Sequence, residues 1–393
     1  MKRFLAWLCV TLAWPAWFAT PVAAEVRAPE FDSVTIESQM LDEDRRLHVS
    51  LPDGYETGER RYPLLFLTDA DWNFDLVRAY LEFTGDRYPD MIIAGIMNTD
   101  RNRDYVPAVD SNFPGTGGAD SFLRALSEEI LPALDRRYRT NGRRIYFGHS
   151  FGGTFGLHAM LRAPELFDAW IVVGTSTWVA DRVLFAAAEE TLQGGEDLDG
   201  FLYMSVAEAD GGETVPAGHE FAALLERLAP PSLEWHYEVI PRTTHFTAVP
   251  PSVHRAMDLL FPTWESEQEL AAAAREAGDG AVDDWFEARR DALGFRFHPQ
   301  RTPYSLVAMS LAVDGLEDQA MAIMAQLRRT FPAHPEIPAN HAVILATIGR
   351  HAEAVAAIDE AIRLGETADY LPSRLARFRL LKTQFETAAA GEG

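Results

Sequence analysis

One stretch constrains this chain more than any other: Ile145-Tyr146-Phe147-Gly148-His149-Ser150-Phe151-Gly152-Gly153. An apolar strand is expected to end at Gly148, and a helix to begin just after Ser150. The turn between them is so tight that its flanks need residues without bulk, which Gly148 and Gly152 supply. Gly-x-Ser-x-Gly alone is a weak pattern. As a strand–turn–helix it is a nucleophile elbow, which lifts the Ser150 hydroxyl clear of a sheet edge. The helix N-terminus adds free N–H groups and partial positive charge, and the Phe151 N–H is the first candidate donor to an oxyanion.

A nucleophilic serine needs a base, and the base needs an orienting acid. With an elbow of this kind the chain order is serine, acid, histidine. His245 follows the apolar run Trp235–Pro241 and precedes a helical pattern, so it is the candidate base. His254 is its rival but falls within that helical pattern. The acid is expected after the strand Phe201–Glu208. Alternation along that strand turns Glu208 toward a sheet face. Asp210, two residues further on, is better placed to reach over the sheet edge; Glu208 and Glu213 remain its neighbours. A second oxyanion donor is expected from the loop after the third strand, Asp69-Ala70-Asp71-Trp72-Asn73-Phe74, as the backbone N–H of Asp71 or Trp72.

Eight runs fit strands: Ser33–Met40, Arg46–Leu51, Tyr62–Thr68, Met91–Met97, Arg144–Gly148, Ala169–Gly174, Phe201–Glu208 and Trp235–Pro241. The first two read as a hairpin across Asp42-Glu43-Asp44. The later ones are near-continuous apolar runs, suited to a parallel sheet covered on both faces. Helical spacing lies between them over Ser121–Tyr138, Phe155–Leu161, His219–Leu228 and Val253–Leu260. The alternation predicts an α/β sheet with crossover helices over residues 25–263.

The two ends read differently. Lys2 and Arg3, an apolar run to Trp17 and the small residues of Pro21-Val22-Ala23-Ala24 predict a signal peptide over residues 1–24. The chain is accordingly expected to be periplasmic or secreted, with no membrane insertion after cleavage. Its single cysteine, Cys9, lies in that segment, so neither a disulfide scaffold nor a thiol nucleophile is expected in the mature protein. Residues 264–300 read as a helical linker. Residues 301–393 read as all-α, with Gly315-Leu316-Glu317-Asp318-Gln319-Ala320 matching Gly349-Arg350-His351-Ala352-Glu353-Ala354 at an offset of 34. That period resembles tetratricopeptide (TPR) helix pairs; a generic helical bundle is the alternative.

Formal net charge is −24. Such a surface repels phosphate backbones, so nucleic acid is not an expected partner. No His-Glu-x-x-His occurs and the histidines are scattered, so no metal site is expected.

The chain resembles the putative-esterase family of α/β hydrolases, which includes esterase D-type enzymes, siderophore trilactone esterases and mycolyltransferases. The residues that carry the likeness are Tyr62-Pro63-Leu64-Leu65-Phe66-Leu67 leading into Asp69–Phe74, and Ile93-Ala94-Gly95-Ile96-Met97-Asn98 running into Arg101-Asn102-Arg103-Asp104-Tyr105. Gly148–Gly153 and His245 complete it. It spans roughly residues 30–262. The resemblance implies an α/β-hydrolase fold, with an eight-stranded, mostly parallel sheet and helices on both faces. It also implies serine ester hydrolysis of a small molecule without a cofactor. Ala70 and Ala207 stand where the family often has Gly, and Thr175-Ser176-Thr177-Trp178 where it usually has Pro-Ser-x-Trp. These departures leave the substrate open.

Arg101 and Arg103 are candidate ligands for an acidic or catecholate substrate, or alternatively ion-pair partners of Asp100 or Asp104. Trp72 and Trp178 are candidate pocket walls. An acyltransferase using the same triad, and a non-catalytic binding protein whose tail docks a protein partner or self-associates, are the competing readings.

Overall fold

The near-continuous apolar runs become strands with no exposed face. In a computed structural model of the protein, β3 (Tyr62–Leu67), β4 (Ile92–Ile96) and β6 (Ala169–Val173) are buried at every position. The structure describes residues 31–52, 55–56, 59–84, 87–194, 198–261, 267–280, 282, 284, 301–368, 370 and 372–391. The expected signal peptide, residues 1–24, lies outside them, as does most of the second half of the expected linker.

β1 (Asp32–Ser38) and β2 (Glu43–Ser50) form the hairpin, and their alternating burial marks a sheet edge with one covered face. β5 (Thr140–His149), β7 (Gly200–Ala207) and β8 (Leu233–Ile240) complete eight strands in the order β1-β2-β4-β3-β5-β6-β7-β8. β2 is antiparallel to both neighbours; from β4 to β8 every pairing is parallel. Parallel pairing needs crossovers. Helices supply them: α1 (Ala70–Thr84), the short α2 (Arg101–Tyr105), α3 (Ala119–Ala125), α4 (Leu131–Arg137), α5 (Phe151–Arg162), α6 (Val179–Gln193), α7 (Thr214–Leu228) and α8 (Val249–Leu260). This is the α/β-hydrolase fold. A π-helical turn, Leu126–Ile130, joins α3 to α4, so the helix expected over Ser121–Tyr138 is one helical run with a widened turn.

The segment after β3 departs from expectation. It is no loop: α1 starts at Ala70 and buries Ala70, Asn73, Phe74 and Val77. That i, i+3, i+4, i+7 face was present in the sequence, masked by the acidic residues around it.

A buried ion cluster holds the hairpin to α2. Arg45 of β2 is fully buried, pairs with Asp104 at 2.7 Å and Glu43 at 2.8 Å, and lies over the Phe122 ring at 4.9 Å. Arg103 closes the ring, 2.6 Å from Glu43 and 2.8 Å from Asp104. Two cations thus meet two carboxylates, which is what makes their burial tolerable.

Beyond Leu260 every element among the described residues is a helix. α9 (Glu267–Ala277) is followed by α10 (Arg301–Val313), α11 (Glu317–Thr330), α12 (Glu336–Thr347), α13 (His351–Thr367) and α14 (Pro372–Gly391). The 34-residue offset has a backbone counterpart. Gly315 and Gly349 take φ of 78° and 82°, and the residue after each donates back into the preceding helix: Leu316 N–H to Leu311 C=O at 2.9 Å, Arg350 N–H to Leu345 C=O at 2.8 Å. Ala320 and Ala354, the matched small residues, are both fully buried. Arg60, two residues before β3, lies over the Phe331 ring at 4.8 Å, so this tail contact sits at the sheet edge opposite the elbow.

Removing one carboxylate from the Arg45 cluster leaves a buried guanidinium short of countercharge. Asp104→Asn is expected to cost about 3–5 kcal/mol, read as a lowered midpoint in urea unfolding.

Candidate active site

Ser150 sits between β5 and α5 with φ 60° and ψ −120°, a left-handed conformation that non-glycine residues rarely hold. Packing holds it there. Its N–H donates to Val173 C=O at 2.8 Å, bracing the turn on β6. A Cβ on Gly148 would overlap the Gly152 carbonyl, and one on Gly152 would overlap the Thr68 hydroxyl at the end of β3. The two glycines therefore let α5 start directly against the strand ends. Phe151 opens that helix, where first-turn N–H groups have no intrahelical acceptor.

Strain collects along this edge. Among the described residues, the other non-glycine positions with positive φ are Asp42 in the hairpin turn and Asp69, Ala180, Asp181, Arg182 and Arg242. Asp69 and Arg242 directly follow the carboxyl ends of β3 and β8, as Ser150 follows β5, and Ala180–Arg182 form a kink at the start of α6, after β6. Strained backbone persists where surrounding structure over-determines it, which is the habit of functional edges.

Asp210 and His245 meet there. Asp210 lies just past β7, its side chain 4% exposed, with its carboxylate oxygens 2.9 and 3.1 Å from His245 Nδ1. A carboxylate only accepts, so Nδ1–H donates and Nε2 is left with a lone pair. Glu208 is occupied elsewhere, accepting the Arg242 N–H at 2.6 Å where the chain leaves β8. His254 is on α8, 2.7 Å from the Tyr80 hydroxyl. No hydrogen bond from the Ser150 hydroxyl is seen among the described residues. The elbow reaches the histidine loop through His149, whose Nε2–H donates to the His245 carbonyl at 2.9 Å and whose ring lies 4.5 Å from the His245 ring. The role of His149 as this tie was not legible in the sequence, since its acceptor is 96 positions away.

On the other side of the elbow, Asp69 is fully buried. Its carboxylate accepts from Asn98 Nδ2 at 2.9 Å and from Arg101 at 2.7 Å (Nε) and 3.2 Å (Nη2). Arg101 Nη2 also lies 3.4 Å from the His149 carbonyl. Burial pushes the Asp69 carboxyl upward, against the pull of Arg101 and Asn98. Asp71 accepts the Asn98 N–H at 2.8 Å. In the sequence Asp69 and Asn98 stand only as parts of a motif; directly after a buried apolar strand, Asp69 is the residue that calls for a partner.

Three expected site residues need correction. The Trp72 N–H is bonded to Asp69 C=O at 3.0 Å because α1 has already begun, which leaves Asp71 as the candidate donor on this side. Trp72 itself is 58% exposed. Arg103 is committed to Glu43 and Asp104 and is no free substrate ligand. Arg101 pairs with neither Asp100 nor Asp104, but its fork is taken by Asp69. Trp178 lies beside Phe113, with ring centroids 5.8 Å apart, and donates to the Thr214 hydroxyl at 3.1 Å; Phe113 in turn meets Phe151 at 5.2 Å. Among the described residues, no group of three or more His, Cys, Asp or Glu is arranged to hold a metal ion.

Residues 38–190 match the model of the family described as Putative esterase. Over these residues the chain is similar to the putative-esterase family. Two curated relatives align at 30% identity: a siderophore enterobactin esterase of Emericella nidulans over 121 residues, 27% of this chain, and a ferri-bacillibactin esterase of Bacillus subtilis over 134 residues, 28% of it. The chain spans less than half of their length, 39% and 46%. The crystal structure of an IroE-like serine hydrolase from Shewanella oneidensis is 26% identical, with a TM-score of 0.65, and covers 77% of this chain and 100% of that one. A protein from Capnocytophaga ochracea shares the fold over 89% of this chain and 100% of its own, at 15% identity and a TM-score of 0.55.

His149 gives the site a pH dependence of its own. Burial, reinforced by His245, lowers its pKa to about 4 from an ordinary 6.5. Between these values the unfolded chain binds a proton that the folded one refuses, so stability is full above about pH 6.5 and falls as pH drops toward 4. The loss is about 3 kcal/mol. His149→Gln, which keeps a donor but does not titrate, is expected to flatten this limb. Urea unfolding of both proteins at pH 7 and pH 4.5 measures the difference.

Proposed function

We propose that the chain is a serine carboxylic-ester hydrolase. The observation that carries the reading is the Asp210–His245 hydrogen bond on the same sheet edge as a left-handed Ser150. In the reaction, Ser150 Oγ attacks the ester carbonyl while His245 Nε2 takes its proton. The tetrahedral oxyanion is held by the N–H groups of Phe151 and Asp71. Collapse expels the alcohol, which receives the proton from His245, and leaves an acyl-Ser150. Water then repeats the sequence and releases the acid. Asp210 holds the imidazole in the required tautomer and stabilises the imidazolium.

Esterase homologues acting on siderophores support a small-molecule ester as substrate. The segment over residues 1–24 supports export to the periplasm or outside the cell, and no helix of the described residues is long and apolar enough to cross a membrane. The repeated glycine turns and buried alanines support a TPR-like reading of residues 301–393, with residues 25–263 as the catalytic domain. All three triad candidates precede residue 263.

Ser150→Ala is expected to abolish both turnover of 4-nitrophenyl butyrate and labelling by a fluorophosphonate, leaving the circular dichroism spectrum intact. Retained turnover near that of the parent would sink the assignment. For the acid, Asp210→Asn is expected to lower kcat by up to ~10⁴-fold. Glu208→Gln, which touches only a main-chain N–H, is expected to cost far less. A chain ending near residue 263 is expected to keep activity on small esters. A folded but inactive truncation would place the tail within the site.

A further inference from the structure

The charge and aromatic character around Ser150 restrict what the site accepts. Three of the four arginines on the segments that follow β4, β6 and β8 are internally neutralised. Arg101 is held by Asp69, and Arg103 by Glu43 and Asp104. Arg182, in the left-handed turn after Trp178, is paired with Glu220 at 2.6 Å. Arg242 is exposed three residues before His245, and its main-chain N–H lies on the Glu208 carboxylate. Against these stand carboxylates on the same loops: Asp71 after β3, Asp110 beneath the Ala180 N–H at 2.8 Å, and Glu208 and Asp210 after β7. The whole chain carries −24. A substrate anion would enter a field of its own sign and find Arg242 as the one exposed guanidinium among these four.

The uncharged surface on this edge is aromatic. Trp72 is 58% exposed and Phe246 69% exposed, Phe246 lying edge-on to His245 with centroids 5.4 Å apart. Trp72 is stacked by the Arg101 guanidinium at 5.4 Å, and the same guanidinium lies 5.1 Å from the Phe151 ring. Arg101 thus links the Trp72 and Phe151 rings on one side of the elbow, while on the other Phe246 lies against His149 and His245. Large apolar side chains left in water on the rim of a polar site mark a surface that gains by being covered.

Resting on the ester-hydrolase reading above, we propose that this site takes uncharged esters bearing an aryl or alkyl group, seated against Trp72 and Phe246, and discriminates against anionic esters, iron-loaded catecholates included.

The test uses the full chain and three 4-nitrophenyl esters: the butyrate, the 3-phenylpropanoate and the hemisuccinate, whose acyl chain matches the butyrate in length but ends in a carboxylate. The expected kcat/KM for the butyrate exceeds that for the hemisuccinate by about tenfold or more. The gap is expected to narrow as sodium chloride is raised from 20 to 500 mM, because screening weakens the repulsion. The 3-phenylpropanoate is expected to be the best of the three, and Trp72→Ala with Phe246→Ala to reduce its advantage over the butyrate. Equal or faster hydrolysis of the hemisuccinate overturns the proposal. So does a preference for the hemisuccinate that disappears in Arg242→Gln, since that would make Arg242 an anion ligand. Absence of Ser150-dependent hydrolysis of all three esters overturns the esterase reading itself, and this one with it. A charge preference without an aryl preference overturns the seating on Trp72 and Phe246.

Discussion

Everything at the candidate site depends on how closely α5 meets the ends of β3 and β5. Side chains on Gly148 or Gly152 would collide with the Gly152 carbonyl or the Thr68 hydroxyl, so the helix can approach only where both positions lack a Cβ. That approach forces Ser150 into a left-handed conformation, which costs on the order of 1–3 kcal/mol. The Ser150 N–H bond to Val173 and the fully buried face of α5 hold the turn against that cost. The same strain that disfavours the turn presents a serine at the sheet edge on a rigid mount. A strained nucleophile on a rigid mount need not be reoriented when substrate arrives, and orientation supplies much of a catalytic barrier reduction.

Two buried polar ties extend this mount sideways. His149 donates to the His245 carbonyl on one side, and Arg101 joins Asp69 to the His149 carbonyl on the other. Both end on main-chain atoms of the elbow or the histidine loop, so they fix backbone positions and leave the reacting side chains free. Asp69 bears the cost of this arrangement. It is a fully buried carboxylate whose desolvation is opposed only by Arg101 and Asn98. An arginine spent in this way is unavailable to a substrate. Both arginines of that motif are thus engaged in ion pairs within the protein, Arg101 with Asp69 and Arg103 with Glu43 and Asp104.

What could be read in the sequence follows from the range of the interaction involved. The inner strands were legible because burial on both faces writes itself into a continuous apolar run, as in Ala169–Val173, and the edge hairpin because its two runs lie close together across Asp42-Glu43-Asp44. The order Ser150, Asp210, His245 was legible because strand ends locate the loops, and Asp210 was preferred to Glu208 by strand alternation and by its reach over the sheet edge; the contact found at His245 Nδ1 agrees with that geometry. The partners of the arginines were not legible. Arg103 meets Glu43 across 60 positions and Arg101 meets Asp69 across 32, and nothing local distinguishes these carboxylates from Asp100, which caps α2 through the Arg103 N–H instead. α1 was missed for a different reason: its apolar face was present, but Asp69, Asp71 and Asn73 read locally as a turn. Acidic residues in a first turn are equally a helix-start signal, since they complement the macrodipole.

The tail shows the opposite case, in which a local rule repeats. Gly315 and Gly349 adopt nearly the same φ, and each closes the same bond from the following residue to a carbonyl five positions back. Such a turn sets the angle at which the next helix leaves, so repeating it at an offset of 34 makes two helix pairs alike without any long-range instruction. Buried alanines at matched positions, Ala320 and Ala354, then allow close approach within each pair. Helices stacked in this way are stabilised mainly by nearest neighbours, while the eight-stranded sheet is held by contacts between distant segments, from Arg45–Asp104 to His245–Asp210. The tie between helices and sheet through Arg60 and Phe331 lies at the amino ends of the strands. Ser150, Asp210 and His245 lie at the opposite, carboxyl ends, so the contact with the helical region and the candidate site occupy different edges of the same sheet.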